Sequence, residues 1–292
     1  MSKALDVVVI GGGQSGLAAG YHLRRLGGLD FAVLDAQPAP GGAWQHTWDS
    51  LRLFSPAAYS SLPGRLMPPQ QGETYPDAAH VVDYLTHYEQ RYGLPVQRPV
   101  RVEAVRRDGE YLRVETDSGV RRARAVVSAT GTWSRPFLPS VPGRDSFLGR
   151  QLHTVEYRTP GEFAGMRVIV VGGGNSGAQI AADLAYDTDL TWVTQRPARF
   201  LADDIDGRVL FDHATARRRA LDEGRPPRPT RATRSARTHP HPGDSSSRRA
   251  PPPSARVRRL DRAGLGDPCR RRPSRTRSRA VRRIPPALTW RG

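Results

Sequence analysis

Two unbroken apolar runs, Val7-Val8-Val9-Ile10 and Val168-Ile169-Val170-Val171, each lead into a glycine-rich turn and then into a stretch with helical apolar spacing. Runs of this length bounded by glycine are the pattern of strands buried on both faces, as parallel strands are when helices cover them. The pattern predicts a strand over 5–10, a helix over 14–27 and a strand over 30–35, a complete β-α-β opening, with a second one over 167–194. Between them, Pro, Gly and Ser dominate a loop-rich stretch from about 36 to 76. Asp77 is placed to cap a helix that runs to about Tyr92 and stops at Gly93, with Val81, Leu85 and Tyr88 on one face. Alternating and apolar runs near 100–106, 110–116 and 123–129 read as strands, followed by a turn-rich linker with Pro136, Pro139 and Pro142. The organised pattern fades near Leu221, and no internal repeat appears beyond the two glycine turns.

The first turn reads Gly11-Gly12-Gly13-Gln14-Ser15-Gly16 and the second, 161 positions on, Gly172-Gly173-Gly174-Asn175-Ser176-Gly177. Both fit G-x-G-x-x-G between a strand and a helix. In that pattern the first glycine permits the tight turn, the second lets the backbone approach a pyrophosphate, and the third lets helix and strand pack closely. The helix N-terminus adds partial positive charge for the phosphates. One such string is weak evidence, because glycine clusters also occur in ordinary turns. Two in the right context imply two dinucleotides, and so a flavin and a nicotinamide.

Composition changes the picture in one place. The formal charge of +17 suggests nucleic acid until it is located: residues 222–292 hold 20 Arg against 5 acidic residues, leaving only +2 for residues 1–221. That tail also holds 12 of the 26 prolines, and it has no sustained apolar period. A segment of this kind buries too little apolar surface to offset its ordering entropy, so the expectation is disorder. Three origins compete: a nucleic-acid arm, a natural flexible extension, or a reading-frame product. Trp290 is the only aromatic residue available for base stacking, which counts against a specific nucleic-acid role. Arg, Pro, Ala, Ser and Gly without lysine look like GC-rich coding DNA translated out of frame, which favours the third. The lone Cys269 excludes a Cys-x-x-Cys pair or internal disulfide. No signal peptide or membrane-length apolar run is evident, so a cytoplasmic protein without membrane contact is expected.

Among chemistry-bearing residues, Asp35 lies 19 positions beyond Gly16, where a carboxylate can accept hydrogen bonds from adenosine ribose hydroxyls. The alternative is a solvated acid at a strand end. Gly41-Gly42-Ala43-Trp44 offers flexible backbone beside a flat aromatic, suited to a flavin's ribityl chain and ring or to a plain turn with a core Trp. The end of the strand after the second fingerprint, Thr191-Trp192-Val193-Thr194-Gln195-Arg196, carries no acid. An acid there would bind the 2′-hydroxyl of NADH, whereas Arg196 can pair with a 2′-phosphate, which favours NADPH over a reading of Arg196 as a plain surface arginine.

The order of these motifs resembles the flavin-containing monooxygenases and their bacterial single-component relatives. GGGQSG, Asp35 and the GG-x-W of Gly41, Gly42 and Trp44 come in the family's order, and Ser128-Ala129-Thr130-Gly131 looks like its ATG turn, where a strand returns to the flavin domain. Phe147 to Tyr157 satisfies F-x-G-x-x-x-H-x-x-x-[aromatic], the family's linker signature, immediately before the second β-α-β unit. The stretch Trp44 to Pro63 is most similar to flavoprotein monooxygenases of bacterial arsenic-resistance operons. The resemblance covers about residues 5–221. It implies that Gly11, Gly13, Ser15, Gly16, Asp35, Gly42, Trp44, Thr130 and Gly131 belong to the FAD site. Gly172, Gly174, Asn175, Ser176, Gly177 and Arg196 would belong to the NADPH site. By the same resemblance His153 helps to position the nicotinamide; the alternative is a structural histidine bonded to a loop carbonyl. The animal enzymes place an asparagine near the flavin, where this chain has Ser55, so no catalytic acid or base carries over. No metal-ligand cluster is evident.

The fold class implied is α/β, with two Rossmann-like dinucleotide-binding domains: an FAD domain (1–145) and an inserted, partial NADPH domain with its linker (146–221), followed by the basic tail (222–292). The family's chain returns after the nicotinamide domain to complete the flavin domain, and that return is not seen before the tail. The resemblance implies hydride transfer from NADPH to FAD, then oxygen activation as a C4a-(hydro)peroxyflavin that oxygenates a small organic substrate. A disulfide reductase is disfavoured by the single cysteine. An NADPH:flavin oxidase or quinone reductase stays open, as does, in another class, an inactive fragment with a basic, nucleic-acid-sticking tail.

Overall fold

A computed structural model describes residues 3–197, 206–226 and 256–259. They fall into two compact units, one of residues 1–49 and 56–157, the other of 50–55 and those from 158 onward.

The first unit opens with β1 (Leu5–Ile10), α1 (Gln14–Leu26) and β2 (Phe31–Leu34). β1 and β2 pair in parallel, Val8 opposite Ala32 and Ile10 opposite Leu34. Successive residues of these strands point to opposite faces. Val8, Ala32 and Leu34 join Val100, Val114 and Ala123 in one buried cluster, while Val9, Phe31 and Val33 form another with Ala19 and Leu23 of α1 packed against it. Burial on both faces is why the strands read as continuous apolar runs.

After a long loop with two 3₁₀ turns, Gly42–His46 and Ala57–Ser60, comes α2 (Ala78–Arg91). Asp77 caps it as expected, its carboxylate accepting from the His80 N–H at 2.8 Å. Two tyrosines of α2 hold the loop down. The Tyr84 hydroxyl donates to the Arg65 carbonyl (2.7 Å) and accepts from the Leu62 N–H (2.6 Å), and the Tyr88 hydroxyl donates to the Pro63 carbonyl (2.6 Å). Burial pushes both phenols above their ordinary range, so both remain donors at any physiological pH.

The two-residue strand β3 (Val96–Gln97), not anticipated from the pattern, adds in parallel to β2. Then β4 (Val102–Asp108), β5 (Tyr111–Thr116) and β6 (Gly119–Ser128) form an antiparallel meander. The sheet order is β3-β2-β1-β6-β5-β4. β6 serves both halves: its start pairs with β5, and from Ala123 to Ser128 it runs parallel to β1. It begins four residues earlier than its apolar run, because Gly119-Val120-Arg121-Arg122 carries no readable alternation.

The second unit contains β7 (Arg167–Val171), α3 (Asn175–Leu184) and β8 (Asp189–Thr194), with β7 and β8 parallel. Ala178, Ile180, Ala181 and Leu184 of α3 are buried, as are Leu190 and Trp192 of β8. The 3₁₀ turn Pro160–Phe163 precedes β7. Residues 50–55 belong here: the Ser50 hydroxyl donates to Asp183, the Phe54 carbonyl accepts from the Gly207 N–H at 2.8 Å, and Phe54 stacks on Phe211. The division between the units falls after Tyr157, which is buried edge-on against Trp48 in the first unit.

Two further elements depart from expectation. α4 (Arg208–Asp222) occupies a stretch that showed no element. All of its residues from Asp212 to Arg219 are exposed, so it has no apolar stripe to read, only helix-favouring Ala, Arg and Leu. The expectation of an unstructured tail falls mostly outside the described residues; at Arg256–Arg259 it needs correcting. These four residues form β9, parallel to β8 with Thr191 opposite Arg256 and Thr194 opposite Arg259. Strand pairing uses main-chain groups that every residue carries, so an arginine-rich segment can pair along an open edge without an apolar period.

Candidate dinucleotide sites

The first fingerprint turn is packed from three sides. Gly11 has φ 105°, a conformation L side chains rarely adopt, and a Cβ there would strike the Ala129 carbonyl oxygen. That carbonyl arrives because β6 runs beside β1, and the Ala129 N–H donates to the Ile10 carbonyl at 2.8 Å. The ATG turn therefore abuts the fingerprint, with Thr130 and Gly131 exposed at the end of β6. A Cβ on Gly16 would overlap the Gly11 carbonyl oxygen. Gly13 is different: it sits in extended backbone at the start of α1, and a Cβ would meet nothing nearer than the Gly42 Cα at 3.9 Å. Gly42 packs against this turn, since its own Cβ would come within 2.8 Å of the Gly13 Cα. Trp44 is tied to the same place by its indole N–H, which donates to the Gln14 amide oxygen at 3.1 Å, and Ser15 is exposed in the first turn of α1.

Asp35, at the end of β2, is buried rather than solvated. Its Oδ1 accepts from the Gln37 N–H at 3.3 Å and its Oδ2 from the Arg98 Nε at 2.9 Å, while Gly12 is so close that a Cβ there would lie 2.5 Å from Oδ2. The other end of Arg98 is forked onto Glu89 of α2, both terminal nitrogens at 2.7 Å from a carboxylate oxygen. Burial lowers the guanidinium's affinity for its proton, but the bonds and charges of Glu89 and Asp35 outweigh it, and Arg98 ends above the usual arginine range. Neither Arg98 nor Glu89 was singled out from the sequence. A signal existed only in hindsight, as an arginine directly after the strand that pairs with the Asp35 strand.

The second fingerprint repeats the scheme in part: Gly172 also has a positive φ, 128°, but a Cβ there would meet nothing within 4 Å. A Cβ on Gly177 would lie 2.5 Å from the Gly172 carbonyl oxygen, whereas Gly174, again in extended backbone at the start of α3, would meet nothing within 4 Å. Asn175 and Ser176 open α3. The turn has one further fastening: the indole N–H of fully buried Trp192 donates to the Gly172 carbonyl at 2.7 Å. Arg196 is exposed two residues past β8, and its carbonyl accepts from the Thr194 hydroxyl at 2.6 Å, which shapes the turn. His153 is half-buried and engaged locally: Nδ1 accepts from the Val155 N–H at 3.3 Å, and its own backbone N–H donates to Glu156 at 2.8 Å. Among the described residues no three His, Cys, Asp or Glu converge as a metal site, and no helix is long and apolar enough to cross a membrane.

Parallel strands that end in glycine turns at helix N-termini, with an acid closing the second strand, define a dinucleotide-binding α/β protein. Residues 8–209 match the family model described as pyridine nucleotide-disulphide oxidoreductase, and the chain belongs to that family. An uncharacterised CzcO-like oxidoreductase of Geobacillus kaustophilus is 36% identical over 213 residues, 72% of this chain and 60% of its own length. A Baeyer-Villiger monooxygenase of Streptomyces coelicolor is 32% identical over 74% of this chain and 42% of its own. Among solved structures, a flavin-containing monooxygenase from Stenotrophomonas maltophilia is 57% identical, with a TM-score of 0.70, covering 72% of this chain and 64% of that one. The resemblance to flavin monooxygenases is thereby borne out. The chain spans 52 to 60% of the length of the first three curated relatives it matches. The family and these neighbours imply FAD and NADPH as cofactors.

Proposed function

We propose that the first unit holds FAD and the second NADPH, in the manner of a flavin-dependent monooxygenase acting with O2 on a small organic substrate. The observation that carries this reading is the shared contrast within the two turns. In each, the third glycine is packed against the carbonyl of the first, while the second has room for a side chain. Folding has no evident need of a glycine at Gly13 or Gly174, whose backbone any residue adopts. A pyrophosphate lying on the helix N-terminus does need one there. The residues present fit the two nucleotides: Gly11, Gly13, Ser15 and Gly16 for the FAD pyrophosphate, Asp35 for its ribose, and Gly42, Trp44, Thr130 and Gly131 around the rest. Gly172, Gly174, Asn175, Ser176 and Gly177 would take the NADPH pyrophosphate, and Arg196 its 2′-phosphate. When bound, FAD supplies hydride acceptance and oxygen activation. The chain's own part is to bind and orient the nucleotides through backbone N–H groups and the Asp35 carboxylate.

The test is a pair of alanine variants. Gly13→Ala should leave thermal stability unchanged and weaken FAD at least tenfold, read by flavin fluorescence. Gly174→Ala should do the same to NADPH alone. Loss of stability without loss of the matching nucleotide would assign both glycines to folding. A chain that takes up no FAD would overturn the reading itself.

For Arg196, loss of a charge-assisted phosphate contact removes about 1.5–3 kcal/mol, roughly ten- to a hundredfold in affinity. Arg196→Ala should therefore weaken NADPH and leave NADH nearly unchanged. Equal weakening of both would give Arg196 a general structural part. Oxygen transfer, as against simple NADPH oxidation, is decided by whether NADPH consumed matches oxygenated product or hydrogen peroxide.

A further inference from the structure

Arg98 directly follows β3 and bridges Asp35, at the end of β2, to Glu89 of α2. Register puts it beside Asp35: Leu34 pairs with Gln97, the Asp35 N–H donates to the Gln97 carbonyl at 3.0 Å, and the Val100 N–H donates to the Asp35 carbonyl at 2.8 Å. The Arg98 side chain is 10% exposed, that of Asp35 6% and that of Glu89 16%. An arginine facing one carboxylate closes on it in bidentate fashion, taking a place on each oxygen. Here it does not. Glu89 takes both terminal nitrogens, so the guanidinium is turned and only Nε reaches Asp35.

The consequence is countable. An ionised carboxylate offers about four acceptor sites, two per oxygen. Gln37 occupies one on Oδ1 and Arg98 one on Oδ2. One site on each oxygen is left, which matches the two hydroxyl donors of a vicinal ribose diol.

We infer that Arg98 is the positioning residue of the first dinucleotide site, and that Glu89, by holding its fork, keeps the Asp35 carboxylate available to both ribose hydroxyls. The inference rests on the reading of Asp35 as the ribose acid. It assigns a binding role to two residues that need not touch the nucleotide, and it gives Glu89→Gln a counterintuitive effect. Weakening the fork frees Arg98 to close on Asp35, so a carboxylate removed from α2 should weaken ribose recognition.

The experiment compares two probes on the full chain: FAD, and an FAD analogue whose adenosine half lacks the 2′- and 3′-hydroxyls. Dissociation constants come from quenching of flavin fluorescence. In the unaltered chain FAD should bind at least about tenfold tighter than the analogue, the size of even one hydrogen bond to a charged group. Arg98→Met and Glu89→Gln should each erase most of that difference by weakening FAD, with the analogue changed less than twofold. Arg98→Lys, which keeps the charge but not the fork, should recover part of it. Equal weakening of FAD and analogue in both Arg98→Met and Glu89→Gln would overturn the inference alone, since a merely structural network does not distinguish the probes. If the unaltered chain binds FAD and analogue equally, the Asp35 reading falls and the inference with it. Should Arg98→Met not fold, Arg98→Lys and Glu89→Gln carry the same comparison.

Discussion

Gly16→Ala is expected to destabilise the first unit by about 3 kcal/mol, the upper range for forcing atoms into a packed interior. In an exposed helix the same change would stabilise by up to about 1 kcal/mol, because alanine is the better helix former. Here the added methyl falls on the Gly11 carbonyl, and neither partner can retreat. The Gly11 N–H is bonded to the Leu34 carbonyl at 2.8 Å, and the Ala129 carbonyl at the end of β6 occupies the space a Gly11 Cβ would take. Relief would require β1 and α1 to separate. Gly20→Ala, one turn further along α1, is the internal control. Its Cβ would meet the Leu94 and Val33 side chains at 3.4 and 3.5 Å, ordinary contacts that small rotamer shifts accommodate. Urea unfolding of both variants followed by circular dichroism reads the difference. Matching midpoints for Gly16→Ala and Gly20→Ala would refute the backbone clash.

The second large effect is expected at Trp192. Truncation to alanine removes a fully buried indole, and large-to-small changes of this kind cost about 3–5 kcal/mol. Trp192→Phe separates packing from hydrogen bonding. It keeps an aromatic ring but leaves the Gly172 carbonyl without its 2.7 Å donor, a loss of about 1–3 kcal/mol for a buried acceptor. Because Gly172 opens the second fingerprint, the phenylalanine variant should also weaken NADPH, which Leu190→Ala, buried in the same strand but remote from that carbonyl's bond, should do less for equal destabilisation. Hydrogen exchange of the β7 and α3 amides gives the stability, and nucleotide titration gives the affinity. NADPH affinity that simply tracks stability across Trp192→Phe and Leu190→Ala would mean that the indole packs without ordering the turn.

Much of this was legible in the chain because it is locally determined. Consecutive apolar residues make a strand, and β1, β2 and β7 lie where their runs predict, although β7 is not buried on both faces as its run suggests, with Ile169 and Val171 exposed. A glycine turn before a helix depends on the conformational freedom of a few neighbouring residues, so both fingerprints fold as read. Asp77 caps α2 three residues from the N–H it serves. Other features were not legible for the opposite reason. β3 is two residues long, too short for any period, and exists because β2 offers it an edge. α4 shows no stripe because it buries almost none of itself. β9 pairs through main-chain groups, to which side-chain patterns are blind.

The candidate sites divide along the same line. The positions of Gly11, Gly13, Gly16, Gly172, Gly174, Gly177 and Asp35 within their turns and strand end follow from chain order, since each acts within a few residues of its own strand. That Gly11 is closed in by backbone was settled by the arrival of Ala129 at the end of β6, more than a hundred residues away. The arrangement around Asp35 was settled in the same way. Arg98 is 63 residues distant along the chain, and Glu89 comes from a helix between them. Sheet register decides which side chains become neighbours, and register is a property of the assembled strands. A one-residue slip of β3 would turn the Arg98 side chain to the other face and leave Asp35 without it.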